Sequence, residues 1–289
     1  MPSEALPADL SIGGMTHDEV ATLAGWAADE GWNPGNADIE IAWDIDPGGF
    51  IALRQGPELV GGGTIFSHGG RFGFMGLFIV RSDRRRAGLG APLWRYRLAR
   101  LRERLDQGAT IGMDGVFEMA PFYARGGFVL AHRDLRFQGV AQGTPDAAVR
   151  SLTPVDFPAV EAFDRLHFPV PRAAFLQRWI YQKGAHALGL FAAGNLLGYG
   201  VARPAHTGFK LGPVFATTPD AAERLVRSLM ARIQGEQVQL DVPEPNEAAL
   251  ALASRLGLSE VFGCARMYHG AAPSLPLQQI FGVTSFEFG

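Results

Sequence analysis

Twelve residues, Val80-Arg81-Ser82-Asp83-Arg84-Arg85-Arg86-Ala87-Gly88-Leu89-Gly90-Ala91, constrain this chain more than any other segment. An apolar, β-prone run from Phe72 to Val80 leads through three consecutive arginines into a Gly-x-Gly turn. A helix-forming segment, Leu93 to Leu105, follows. Such a passage aims several backbone N–H groups and the positive end of a helix dipole at one point. The missing Cβ atoms at Gly88 and Gly90 let an anion come close to the backbone. The segment therefore predicts a phosphate or pyrophosphate site. It is not a Walker A loop, because no lysine follows Gly90. It is not a dinucleotide fingerprint either, because Leu93 stands where the third glycine is required.

A second motif lies downstream, Phe122-Tyr123-Ala124-Arg125-Gly126-Gly127-Phe128. Gly127 suits the C′ position of a short helix, where left-handed dihedrals favour glycine, and Phe128 would open the next strand. Between the motifs stand the Leu93-to-Leu105 helix and a β-prone segment, Ala109 to Met113. The pattern Arg85-Arg86-Ala87-Gly88-Leu89-Gly90 resembles the Arg/Gln-x-x-Gly-x-Gly/Ala signature of the GCN5-related N-acetyltransferases (GNAT). The second motif resembles that family's Tyr-x-x-x-Gly-Phe segment, and the order of elements is also the family's.

The resemblance implies an α/β (α+β) fold whose mostly antiparallel, twisted mixed sheet is flanked by helices. It implies acetyl-CoA as acyl donor, its pyrophosphate held by Arg85, Arg86, Ala87, Gly88, Leu89, Gly90 and Ala91. Main-chain groups of Phe78, Ile79 and Val80 would pair with the pantetheine arm in a gap between the fourth and fifth strands. Tyr123 stands where the family places the acid that protonates the departing thiolate. A base is also needed to free the acceptor amine of its proton. Asp114 and Glu118 are the nearest carboxylates in sequence, although either also suits a helix cap. No nucleophile is needed if the amine attacks the thioester directly, and a backbone N–H is the expected donor to the carbonyl.

Thr16-His17-Asp18-Glu19 predicts a capping box opening a helix that runs to about Glu30, with Val20, Leu23, Ala24 and Ala27 as its apolar stripe. The loop after it, Glu30 to Gly35, falls where related enzymes line the acceptor site. Glu30, Trp32 and Asn33 are thus candidate acceptor contacts, with a capped helix end and a buried Trp as the alternative. Trp26, Trp43 and Phe175 are further candidates for an aromatic pocket, or core. Strands Gly49 to Arg54, Leu59 to Ser67 and Arg71 to Val80 would form an antiparallel meander with tight turns.

The second half repeats the first in degraded form. Gly61 and Gly198 are 137 residues apart in matching contexts, Gly76 and Gly212 are 136 apart, and Gly127 and Gly257 are 130 apart. Helix Ala221 to Ile233 and strand Val238 to Val242 complete the copy. The expectation is two tandem domains, a catalytic one over 1–142 and a degenerate one over 148–289. The second copy has Thr217-Thr218-Pro219-Asp220 where the first has its arginines and glycines, and Ala253 where the first has Tyr123. It should not bind acetyl-CoA. The arrangement resembles a tandem acetyltransferase group with one active domain, and Arg266-Met267-Tyr268-His269-Gly270 fits it, or is a strand with Tyr268 in the core.

Composition bounds the remaining choices. The chain has 289 residues, 47% of them hydrophobic and 19% charged, which suits globular cores. A formal net charge of -3 gives no general pull toward nucleic acid or anionic membrane. One cysteine, Cys264, excludes a disulfide framework and a thiolate zinc site, and the seven histidines lack ligand spacing. No apolar run reaches the roughly 20 residues of a membrane span, and Met1 to Gly14 lacks signal-peptide features. The expectation is a metal-free cytoplasmic protein, monomer or homodimer. Its function is N-acetyl transfer to a small-molecule or N-terminal amine. The alternative is a non-catalytic acyl-CoA-binding or protein-interaction module.

Overall fold

A computed structural model of the chain describes residues 9–289. The first half runs β1 (Leu10–Gly14), α1 (His17–Asp29), α2 (Asp38–Ile45), β2 (Phe50–Gln55), β3 (Glu58–His68), β4 (Phe72–Val80), α3 (Gly90–Glu103), β5 (Thr110–Val116), α4 (Ala120–Arg125) and β6 (Val129–Val140). The second runs β7 (Val149–Ser151), α5 (Phe157–Asp164), α6 (Ala173–Ile180), β8 (His186–Ala192), β9 (Asn195–Pro204), β10 (Phe209–Ala216), α7 (Pro219–Arg232), β11 (Gln237–Pro243), α8 (Glu247–Arg255), β12 (Ser259–His269) and β13 (Ile280–Gly282). This is a mixed α/β architecture built twice.

Local chemistry accounts for the elements that position the site. Thr16 and Glu19 form the expected capping box, each side chain bonded to the other residue's N–H, and α1 begins at His17. That reciprocal cap is worth about 1 kcal/mol. Val20, Leu23 and Ala27 are its buried stripe. At the end of α4, Gly127 has φ +90°, and the Gly127 and Phe128 N–H groups donate back to Ala124 and Tyr123 carbonyls. This left-handed cap turns the chain straight into β6. Two elements of the first half lay outside the sequence expectations. Strand β1 pairs antiparallel with β2, and α2 folds from Asp-Ile-Glu-Ile-Ala-Trp-Asp-Ile, a segment rich in β-branched residues.

The strands join in one sheet, ordered β1-β2-β3-β4-β5-β12-β6-β11-β10-β9-β8-β7, with β13 beside β10. The two halves have exchanged their last long strands. β12 pairs with β5 of the first half, β6 pairs with β11 of the second, and β6 and β12 pair with each other. The strand order is thus symmetric about the β6–β12 pair. Each exchanged strand sends a buried arginine to the opposite half's fifth strand: Arg266 to Asp114 and Arg136 to Asp241.

Successive strand residues face opposite sides of the sheet. Phe50 and Ala52 join a core shared by α1, α2, α5 and α6, which packs across both halves. Ile51 and Leu53 join a separate core under α3 and α4, and the matching core of the second half lies under α7 and α8. The shared core and the strand exchange fuse the halves into one body. Buried polar links reinforce them: Arg203 bonds both oxygens of Asp38 at 2.8 and 3.0 Å.

Candidate active site

β4 and β5 run parallel only from Phe72/Thr110 to Met75/Met113. Beyond Met75 they separate. One cause lies in β4 itself, which carries an extra residue opposite Gly62–Thr64 of β3, with Leu77 at φ +50°. Such a bulge bends the strand and strengthens its twist. The gap opens into a cavity of about 490 Å³. Its walls include Met75 to Val80 on one side and Met113 to Val116 on the other, with Tyr123 and Trp94 from the helices.

The arginine-rich turn closes one end of this cavity. Arg84, Arg85, Arg86, Gly88, Leu89, Gly90 and Ala91 all line it. Gly88 has φ +79°, a conformation that side chains resist, and a Cβ there would meet open space. α3 starts at Gly90 without any side-chain cap, so its leading N–H groups have no capping oxygen. Arg85 donates to the Val80 carbonyl at 2.9 Å and is ion-paired with Glu30, which also lines the cavity. Together these groups make a cationic nest suited to a pyrophosphate.

Tyr123 stands further in, 4% exposed and packed on Trp94 with ring centroids 4.9 Å apart. Burial pushes its phenol up to about 12, partly opposed by the nearby Arg97 guanidinium. Arg97 is fully buried, and its Nη2 donates to the carbonyls of Thr64 and Gly76, each at 2.6 Å. It thereby holds the two strands at the bulge. Its Nε and Nη1 have no partner, and desolvation lowers this guanidinium to about 9. Nothing in the sequence pattern marked Arg97; an arginine within the apolar stripe of α3 was the available signal.

The structure gathers most of the residues singled out from sequence and disperses the rest. Phe78, Ile79, Val80, Tyr123, Asp114, Glu30 and Trp32 line the cavity, as do the turn residues apart from Ala87. Glu118 is exposed and outside the cavity. Asn33 also lies outside it: at φ +51°, its side chain bonds Thr207 and Gln239 of the second half at 2.7 to 3.0 Å. Trp26, Trp43 and Phe175 pack in the shared core. Asp114 has both oxygens engaged by Arg266 at 2.6 Å. Asp134 reaches the same guanidinium at 3.4 Å. Burial, and two acids sharing one arginine, push the Asp114 carboxyl well above its usual range.

The second half contributes walls that sequence reading missed: Phe262, Cys264, Phe286 and Glu287. Burial pushes the Cys264 thiol well above its ordinary value, which disfavours the nucleophilic thiolate. Among the described residues no cluster of His, Cys, Asp and Glu could hold a metal ion, and no helix is long and apolar enough to cross a membrane.

The second half has its own version of the gap, and it is closed. β10 and β11 pair in parallel from Phe209/Val238 to Leu211/Leu240 and then separate. β13 enters that opening, with Val214 opposite Gly282 and Phe215 opposite Ile280, and the next N–H, that of Val283, donates to the Asp241 carbonyl. At the head of α7, the Thr218 side chain accepts from the Ala221 N–H, and Pro219 has no N–H to offer.

Family models match both halves: one described as acetyltransferase (GNAT) family covers residues 17–128, and one described as acetyltransferase (GNAT) domain covers 160–282. The chain belongs to the GNAT superfamily, in its tandem form. It is 27% identical over 267 residues to a holothin acyltransferase of Pseudoalteromonas sp. (strain SANK 73390), covering 91% of this chain and 89% of that protein. It is also 27% identical over 237 residues to YitH of Bacillus subtilis (strain 168), described as an uncharacterised N-acetyltransferase, covering 78% of this chain and 80% of that protein. Among solved structures, a Pyrococcus horikoshii protein of acetyltransferase fold superposes with a TM-score of 0.82 at 22% identity, covering 100% of this chain and 99% of that one. A tandem GNAT protein from the clavulanic acid biosynthesis pathway superposes with a TM-score of 0.64 at 16% identity, covering 92% and 99%. The relatives support acyl transfer as the general reaction class.

Proposed function

We propose that this GNAT protein is an N-acetyltransferase that moves the acetyl group of acetyl-CoA onto a primary amine of a small-molecule acceptor. One observation carries the reading: a single open gap has an anion nest at one end and a buried tyrosine further in. Residues 1–142 would form the catalytic unit and 148–289 the degenerate one. The leading N–H groups of α3 and the Arg85 and Arg86 guanidinium groups take the pyrophosphate. Main-chain groups of Phe78, Ile79 and Val80 pair with the pantetheine arm as an added strand would. Glu30 and Trp32, at the mouth, face the acceptor. The protein works in the cytoplasm as a monomer or homodimer.

The amine attacks the thioester carbon directly, the C–N bond forms, and the C–S bond breaks. Sulfur leaves as a thiolate and takes the Tyr123 proton. At about 12 the phenol is fully protonated at neutral pH but a weaker acid than an ordinary tyrosine, and the nearby Arg97 guanidinium offsets part of that by favouring the phenolate that results. The phenolate regains its proton from the positively charged nitrogen of the acyl adduct, which thereby becomes the neutral amide. Release of thiol from acetyl-CoA across a panel of primary amines tests this. Tyr123→Phe should lower kcat about 10²-fold, close to 2.7 kcal/mol of barrier, with acetyl-CoA affinity unchanged. Acetyl-CoA binding without thiol release for any amine would contradict the reading.

A further inference from the structure

The segment after β13 links the two gaps. Having closed the second half's opening, the chain runs on through residues 283–289 to the first half's cavity, where Phe286 and Glu287 form part of the wall. It lies against β4 at the point of divergence, because a Cβ built at Gly76 would overlap the Glu287 carbonyl oxygen. The segment is firmly held. The Ser285 hydroxyl accepts from the N–H groups of Glu287 and Phe288 at 3.2 and 3.0 Å. Arg172 donates to the Thr284 hydroxyl at 2.9 Å and to the Gly289 carbonyl at 3.4 Å. The His68 Nε2–H donates to the Phe288 carbonyl at 3.0 Å.

Three acidic residues, Glu30, Asp114 and Glu287, line the cavity, and the surroundings of their carboxylates separate them. Glu30 is committed to Arg85, and Asp114 to Arg266 through both oxygens. Glu287 is buried at 3% exposure, and its Oε2 has no hydrogen-bond partner. Its Oε1 lies 4.0 Å from the Lys210 ammonium, which is itself 3.7 Å from Asp241 and makes no hydrogen bond. Arg136, paired with Asp241, is a second cation whose field reaches Glu287. A buried carboxylate oxygen without a donor is costly unless something completes it. An ammonium group supplies the missing N–H donors and the opposite charge.

We propose that Glu287, from the segment after β13, receives the acceptor's amine in the first half's cavity and takes its first proton. This rests on the acyl-transfer reading above. The acceptor arrives as an ammonium ion and gives one proton to Oε2, and the neutral nitrogen attacks the thioester carbon. The second nitrogen proton restores Tyr123, whose own proton went to sulfur. Glu287 then returns its proton to solvent, so the cycle releases one amide, one thiol and one proton. Half of the acid–base pair thus comes from the copy that lost its own cofactor loop.

The test uses the full chain, acetyl-CoA, and benzylamine with a series of primary alkylamines as probes. Glu287→Gln, which keeps the shape of the side chain, should lower kcat/KM for the amine about 10²-fold at neutral pH. The affinity for acetyl-CoA and the melting temperature should stay at the parent's values. The variant depends on neutral amine from solution. Its rate should therefore climb about tenfold per pH unit toward the amine's pKa, closing the gap with the parent. Glu287→Asp should recover part of the loss. A Glu287→Gln rate within threefold of the parent, or a deficit that stays constant with pH, overturns the role of Glu287 while leaving acyl transfer intact. A parent chain that turns over none of the amines at any pH overturns both.

Discussion

The β4–β5 gap and the β10–β11 gap start from the same geometry and end differently. Each begins as a short parallel pairing, and each diverges at a bulged strand. In the first half the opening stays clear, a glycine turn leaves helix N–H groups uncapped, and Tyr123 looks in. In the second half β13 fills the opening, Thr218 caps the helix, and Ala253 replaces the tyrosine. The buried charges diverge as well. Asp114 and Asp134 share one arginine, whereas Asp241 sits between Arg136 and Lys210, which hold its carboxyl below the usual range. Closure of the gap in one copy has thus come with a gain of internal packing. The chain that plugs one gap goes on to wall the other.

Removing the plug is the most severe way to strain this comparison. Phe281 is fully buried at the centre of β13, in the core under α7 and α8. Phe281→Ala should destabilise the fold by about 3–5 kcal/mol in urea unfolding. The reopened gap should still bind no acetyl-CoA, because Thr218 and Pro219 remove two of the leading donors of α7 and no arginine cluster or glycine turn stands before it. A second bound acetyl-CoA in this variant would break the comparison.

A smaller effect comes from the pin on the linking segment. Burial, with the Arg172 cation next, lowers the His68 imidazole to about 3 from its ordinary 6.5. Because the folded value is depressed, the unfolded chain takes up the proton first. Stability is therefore intact above pH 6.5 and is lost as pH falls from 6.5 toward 3. The slope is about 1.4 kcal/mol per pH unit, or about 2 kcal/mol by pH 5. His68→Gln should flatten this part of the curve in unfolding measurements at pH 7 and pH 5. Equal slopes for parent and variant would show that His68 is not the group responsible.

Much of this molecule was legible before any coordinates. The capping box at Thr16, the turn at Gly88, the left-handed cap at Gly127 and the order of elements are local matters, set by propensity and backbone sterics. The internal repeat pointed to the second copy, and the absence of glycines at 217–220 to its lost loop. What stayed hidden was non-local. Nothing in the pattern of Val129–Val140 or Ser259–His269 says that the two strands change places, because either half offers an equivalent edge to pair with. Asn33 read as an acceptor contact from its place in the loop. Its three hydrogen bonds reach residues about 170 to 210 positions away, a distance no sequence window spans. Glu287 belongs to no motif, and only the path of the segment after β13 brings it to the cavity.

The central claim is that one of two related gaps binds the acyl donor. Calorimetric titration with acetyl-CoA measures this directly, on the parent and on Gly88→Asp. That substitution puts a carboxylate into the anion nest, at a position with open space around it. The account predicts one acetyl-CoA per parent chain and none for a Gly88→Asp chain that unfolds as cooperatively as the parent. Two sites per chain, or a single site that survives Gly88→Asp, would contradict it.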